Sequence, residues 1–202
     1  MPYEYNDEQQ MIRAEARKLL EDSFSAERLR TLLDQPGSYD TALWQACRDM
    51  GWTGIAIPKN YGGLGLSALE LCIVAEEIGR VAGGAPFLTS SFGVAQALLN
   101  WGTDALREQF LPALASGEKI GAVALFDASG SLQPGLQLKG GQVSGNLPAV
   151  IAGVHANVLV ALVNASGTAQ LAVIDLDQAG VQKTTLQTFD NSRGAAALEF
   201  AG

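Results

Sequence analysis

Three glycines, Gly62, Gly63 and Gly65, stand in the stretch PKNYGGLGLSALELCIVAEEIGR, Pro58 to Arg80. Clustered glycines ahead of a helix can turn backbone N–H groups toward a phosphate. The dinucleotide form of that chemistry needs a preceding strand and the order G-x-G-x-x-G inside a βαβ unit. The spacing here differs, no parallel-sheet pattern surrounds it, and no lysine follows as in a P-loop. The competing reading is a tight turn that uses positive φ, after which Ser67 starts a helix. Glu70, Glu76 and Glu77 follow on that helix. A carboxylate can act as a general base, but their positions read as a helix cap and a solvated surface. His155 is the one histidine, which leaves little room for a Ser-His-Asp triad or a histidine-based metal site. Cys47 and Cys72 lie among apolar residues of expected helices and read as buried free thiols in a reducing compartment, not as a disulfide.

The elements around these residues change character near residue 119. Residues 1–119 carry 26 of the 34 charged side chains, and residues 120–202 carry the other eight. Helical periodicity fills the first part and short alternating runs fill the second. The expectation is an α+β chain with an N-terminal all-helical domain, 1–119, and a small antiparallel β-barrel or sandwich domain, 120–202. Asn6, Ser25, Asp40, Ser67 and Thr103 each precede a helix as a cap. Ser67 and Glu70 have the S-x-x-E spacing of a capping box. Apolar faces are expected at Ile12, Ala16, Leu19 and Leu20, at Leu43, Trp44 and Cys47, and at Leu106, Phe110, Leu111 and Leu114. A helix from Thr89 to Trp101 precedes the last of these, and Pro112 is expected to bend or shorten the last one. Gly140-Gly141, flanked by alternating residues, signals a hairpin. The runs NVLVALV, QLAVIDL, GVQKTTL and AAALEFA follow as strands.

A net charge of −8 at pH 7 opposes binding to nucleic acid and to anionic membranes. The apolar run around His155 is too short for a membrane helix, and the polar, acidic N-terminus does not read as a signal peptide. A cytoplasmic protein is expected.

The order of parts resembles the acyl-CoA dehydrogenase family. YNDEQQMIRAEARKLLED opens the chain, and WQACRDMGWTGIAIPKNYGGLGLSALELCIVAEEIGR follows. GTDALREQFLPALASGEKIGAVAL then leads into the β part. The resemblance covers essentially the whole chain and is most specific from Met50 to Arg80. It implies non-covalent FAD, an acyl-CoA substrate in lipid metabolism, and α,β-dehydrogenation with hydride transfer to the flavin. It also implies a homo- or hetero-oligomer and an electron-transfer flavoprotein as acceptor. In the family the glycine loop is a structural feature. Gly202 falls about where the family's middle domain ends. No catalytic residue is therefore carried over, and the chain alone is expected to be inactive.

The family's Ala-Leu-Thr-Glu-Pro-like stretch, which ends in Gly-Ser-Asp and lines flavin and substrate, matches ALFDASGS, Ala124 to Ser131. Leu125, Phe126 and Asp127 take the cofactor-lining positions, with Phe126 in place of the hydroxyl residue and Asp127 in place of Glu. Ser131 corresponds to a serine near the CoA end. The other reading of Asp127 and Ser129 to Ser131 is a plain turn after a strand. Val150, Ile151 and Ala152 match a Trp-Ile-Thr stretch that packs on the flavin, or are an ordinary core strand. Ser91 and Val94 correspond to the wall of the substrate cavity, or are core packing. The resemblance leaves two principal functions: an FAD-dependent acyl-CoA dehydrogenase, and a non-catalytic partner subunit of a hetero-oligomeric one with divergent flavin-lining residues. A flavin monooxygenase on the same fold has no specific support. No metal is expected.

Overall fold

A computed structural model describes residues 4–202. Helices come first: α1 (Asp7–Ser23), α2 (Ala26–Leu33), α3 (Thr41–Asp49), α4 (Ala68–Arg80), α5 (Ala95–Trp101) and α6 (Asp104–Ala115). The five expected caps are in place. Asn6, Ser25, Asp40, Ser67 and Thr103 each accept from a backbone N–H in the first turn of the helix they open. These bonds satisfy donors that have no partner within the helix. α6 does not stop at Pro112 but runs through to Ala115. A π-helical stretch, Leu88–Val94, runs directly into α5.

Strands β1 (Gly121–Ala124), β2 (Leu136–Lys139), β3 (Gln142–Val150), β4 (Val158–Ala165), β5 (Thr168–Asp175), β6 (Val181–Thr185) and β7 (Ala196–Ala201) form one sheet. Gly140 and Gly141 both have positive φ and close the two-residue hairpin between β2 and β3, with Lys139 opposite Gln142. Four pairings are antiparallel, as expected, but β1 and β2 both run parallel to β4. β1 faces residues 158–161 of β4 and β2 faces residues 163–165. They lie end to end along β4, and residues 125–135 leave that line as a loop. Alternation reports which residues face inward but carries no strand direction.

Helices and sheet share a core. Val94, Leu98, Phe110, Leu111 and Leu114 pack with Val158 and Val160 in one buried cluster. The contact is close because two glycines permit it. A Cβ on Gly93 would come to 2.6 Å from Val123, and one on Gly121 to 2.7 Å from Val94. At the other end Asn191 Nδ2 donates to Leu33 O at 2.8 Å, and His155 Nε2 donates to Gly37 O at 2.5 Å. These bonds tie the loops of the sheet to the last residue of α2 and to the segment after it. No described helix is long and apolar enough to cross a membrane.

Two expectations about side chains are corrected. Cys47 is buried, and burial pushes its thiol up to about 12, but Cys72 is exposed. α4 buries Leu71, Ile73, Val74, Glu77 and Ile78, so Cys72 falls on its outer face. Glu77 is not a solvated carboxylate: its side chain is 0% exposed. Arg17 Nη2 donates to it at 2.6 Å, Arg13 Nε at 3.0 Å and Arg80 Nε at 2.9 Å. Chiefly through the Arg17 hydrogen bond, and against its own burial, Glu77 is held at about 2. Glu70 does cap α4: it accepts from Ser67 N at 2.8 Å and from Gln9 Nε2 of α1 at 2.8 Å. Glu76 is exposed and pairs with Arg13.

Candidate functional site

The glycine loop has no donors left for a phosphate. Gly62 N donates to Lys59 O, Gly63 N to Pro58 O, Leu64 N to Gly54 O, Gly65 N to Ile57 O and Leu66 N to Ile55 O. Gly62 and Gly65 take positive φ. Gly63 leaves no room for a side chain, since its Cβ would sit 2.1 Å from Ile57 O. The loop is a folded platform under α4, not an anion site.

The loop after β1 is also closed, but by one side chain. Asp127 Oδ1 accepts from Ser129 N at 2.8 Å, Ser129 Oγ at 2.6 Å and Ser131 N at 3.0 Å. Asp127 N in turn donates to Ser131 O at 2.9 Å. The Ser129 hydroxyl, followed by the Ser131 amide, holds the Asp127 carboxyl below its ordinary range. Its acceptor oxygen is occupied within its own turn, which is unlike a free general base. Ser129 Oγ, whose one proton goes to Asp127, lies 2.9 Å from Ser131 Oγ and accepts from it. Phe126 stands out from this loop, 58% exposed, and Leu125 is half-buried.

At the end of β3, Val150 and Ala152 are buried and only Ile151 is exposed. Ala152 has φ +63, which swings the chain into the turn that follows. Ser91 and Val94 are both buried in the helical run above β1. Val94 abuts Gly121, and Ser91 Oγ has no hydrogen-bond partner among the described residues.

A groove of about 360 Å³ opens where helices meet sheet. α4 and the segment from Ala82 to Thr89 form one wall, and Ile151, Ala152 and the 190–193 loop form another. That volume lies in the range of small-molecule pockets, roughly 300–1,000 Å³. Of the residues singled out from sequence, Ile151 and Ala152 line it. Leu125, Phe126, Asp127 and Ser131 lie on the loop after β1, and Ser91 and Val94 in the core; none of these six lines the groove. Sequence reasoning missed the groove's helical wall. The signal available was GGAPFL, in which two glycines and a proline interrupt two helical patterns.

These surfaces bear on a flat ring cofactor in a definite way. Phe126, Ile151 and half-buried Leu125 offer apolar contact. No side-chain hydroxyl stands at 126 or at 150–152, and Asp127 is engaged elsewhere. The residues fit an aromatic ring system by contact and backbone, not by side-chain hydrogen bonds.

Residues 6–118 match the family model of the acyl-CoA dehydrogenase N-terminal domain. The chain is similar to the mitochondrial isovaleryl-CoA dehydrogenase of Arabidopsis thaliana, 33% identical over 147 residues that cover 70% of this chain and 35% of that protein. Among solved structures, a variant of the Tcur3481-Tcur3483 steroid ACAD is 26% identical, with a TM-score of 0.86. That match covers 96% of this chain and 55% of the other. An acyl-CoA dehydrogenase complexed with FAD from Bacillus anthracis shares the fold at 20% identity, with a TM-score of 0.83 over 99% of this chain and 36% of that one. The chain thus matches about a third of the curated relative's length and about half of the first solved chain's.

Proposed function

The chain belongs to the acyl-CoA dehydrogenase family, and from that premise we propose that it forms the helical domain (1–119) and β domain (120–202) of an FAD-dependent enzyme that α,β-dehydrogenates an acyl-CoA thioester. The observation that carries this reading is the apolar groove beside Ile151 and Ala152, the end of β3 that the family resemblance puts against the flavin. FAD, when bound, supplies the hydride acceptor. Leu125, Phe126 and Ile151 hold its ring by apolar contact. The groove takes the acyl tail and keeps water from it, and Ser131 serves the CoA end. None of the described carboxylates is assigned as the base. Electrons leave to an electron-transfer flavoprotein.

The test is a flavin titration of the purified chain, followed by anaerobic addition of an acyl-CoA to the FAD-loaded full protein. Flavin fluorescence should be quenched on binding, and the bound flavin's absorbance should bleach with substrate. A protein that binds no flavin refutes the proposal.

The closed Asp127 turn and the lack of a hydroxyl at 126 favour a second reading, a non-catalytic subunit that completes a hetero-oligomer. Under it the chain raises the activity of a family partner in mixtures while its own flavin never bleaches. The Tcur3481-Tcur3483 steroid ACAD, named for two components, is the relative that makes this reading concrete.

A further inference from the structure

Glycines in this chain have visible reasons, with one exception. Most take positive φ, which other residues rarely adopt. The rest are crowded: Gly83 would put a Cβ 2.7 Å from Leu43, and Gly63 would strike a carbonyl. Gly79 has neither reason. It sits inside α4 with no positive φ, and a Cβ built on it meets nothing within 4 Å. Glycine is a poor helix former, so nothing local calls for it. What it does is leave space, and that space is the groove, which Gly79 lines.

Most of the groove's polar rim is engaged within itself, and Arg193 spends its Nη2 on Asp190. Asp190 Oδ1 accepts from Ser192 N at 3.0 Å and Ser192 Oγ at 2.5 Å, and Asp190 Oδ2 accepts from Arg193 Nη2 at 3.1 Å. Thr89 Oγ1 donates to Pro86 O at 3.1 Å. A hydroxyl carried in among the apolar side chains would lose water and gain no ready partner there. The remaining lining, with Leu29, Leu33, Ile78, Leu88 and Ile151, is hydrocarbon.

We propose that Gly79 sets the size of the acyl tail the groove accepts. This rests on the groove being the acyl site of the proposed dehydrogenase. A Cβ at 79 meets no atom of the fold within 4 Å, so a side chain there takes up groove space, shortens the accepted tail and leaves short acyl groups alone.

Calorimetric binding of octanoyl-CoA and butyryl-CoA to the purified chain tests this, with free octanoate as a probe that lacks CoA. Gly79→Leu should weaken octanoyl-CoA by roughly tenfold or more, on the scale of one to a few methylenes lost from an apolar pocket. Butyryl-CoA should be unchanged, and Gly79→Ala should fall between. Melting temperature should not fall in either variant, since both residues form helix better than glycine. Octanoyl-CoA binding that ignores Gly79→Leu, or an equal loss for short and long tails, overturns the inference and leaves the dehydrogenase reading standing. Octanoate binding that depends on Gly79, without any binding of octanoyl-CoA, keeps the apolar groove and removes the thioester. Binding of neither probe overturns both.

Discussion

The segment from Pro58 to Arg80 and the loop from Leu125 to Ser131 both bring polar groups together near a glycine, yet they satisfy those groups differently. In the first, partners come from far along the chain. Gln9 reaches Glu70, and Arg13 and Arg17 reach Glu77, across 60 to 64 residues. The glycine loop spends its amides on carbonyls of residues 54–59. In the second, the hydrogen-bond partners of the Asp127 side chain lie within four residues. The first region is therefore part of the tertiary structure and cannot be altered without cost to the fold. The second is a self-contained turn whose side chains can change while the fold stays. A family that keeps its scaffold and varies its chemistry has room to do so in the second place, not the first.

The largest effect should come at Gly63. In Gly63→Ala the new Cβ faces Ile57 O at 2.1 Å and Gly54 O at 2.6 Å. Neither carbonyl can retreat, because Gly65 N and Leu64 N hold them at 2.8 and 3.0 Å. Forcing a methyl into backbone should cost about 3 kcal/mol or more, at the upper end of overpacking, or roughly 6–12 °C in melting temperature for a chain of this size. Gly62→Ala is the control. Its Cβ meets open space, and only its φ of +82 resists, so about 1–2 kcal/mol is expected. Equal losses at the two positions in thermal melts would break the claim that the loop is fixed by the carbonyls beneath it.

Glu77 comes next. Its carboxyl is held at about 2, below the ordinary 4.5, with the Arg17 bond as the main cause. A depressed carboxyl stabilises the fold above its ordinary value and loses that contribution as pH falls toward its folded value. Glu77→Gln should thus destabilise by about 2 kcal/mol at pH 7, less than a fully buried pair because its three arginines are more than a third exposed. Urea midpoints of wild type and variant should converge between pH 4.5 and 2. A gap that persists undiminished at low pH would show that shape, not charge, matters at Glu77.

Burial of this carboxylate was not legible in the sequence. On α4, Glu76 and Glu77 look alike, and the helical pattern alone assigns both to solvent. What separates them is α1, where Arg13 and Arg17 stand one turn apart and aim at a helix 60 residues away. The caps were legible because each is a local bond between neighbours in the chain. The hairpin at Gly140-Gly141 was legible for the same reason. Parallel pairing of β1 and β2 with β4 was not, since alternation is blind to direction. The candidate site divided along the same line. ALFDASGS could be read as a turn from its residues, and it is one. The groove could not, because its walls come from α4, the segment after it and two loops of the sheet.

The smallest effect should come at Asp127, where the two regions differ most. Its ties are local and exposed, so Asp127→Ala should leave the melting temperature unchanged. The amides of Ser129 and Ser131 lose their acceptor, and their hydrogen exchange should quicken while amides of β1 and β4 keep theirs. The Ser129 hydroxyl holds the Asp127 carboxyl below its ordinary range. Order in the wild-type loop should therefore be complete above that range and fade as pH falls below it, with the variant showing no such change. Faster exchange spreading into β1 would mean that the turn supports the sheet, and the loop would then belong with the glycine platform. Exchange confined to the turn would mark it as free to be remade, so that restoring a threonine at Phe126 in the Asp127→Ala background would test flavin binding without disturbing the scaffold.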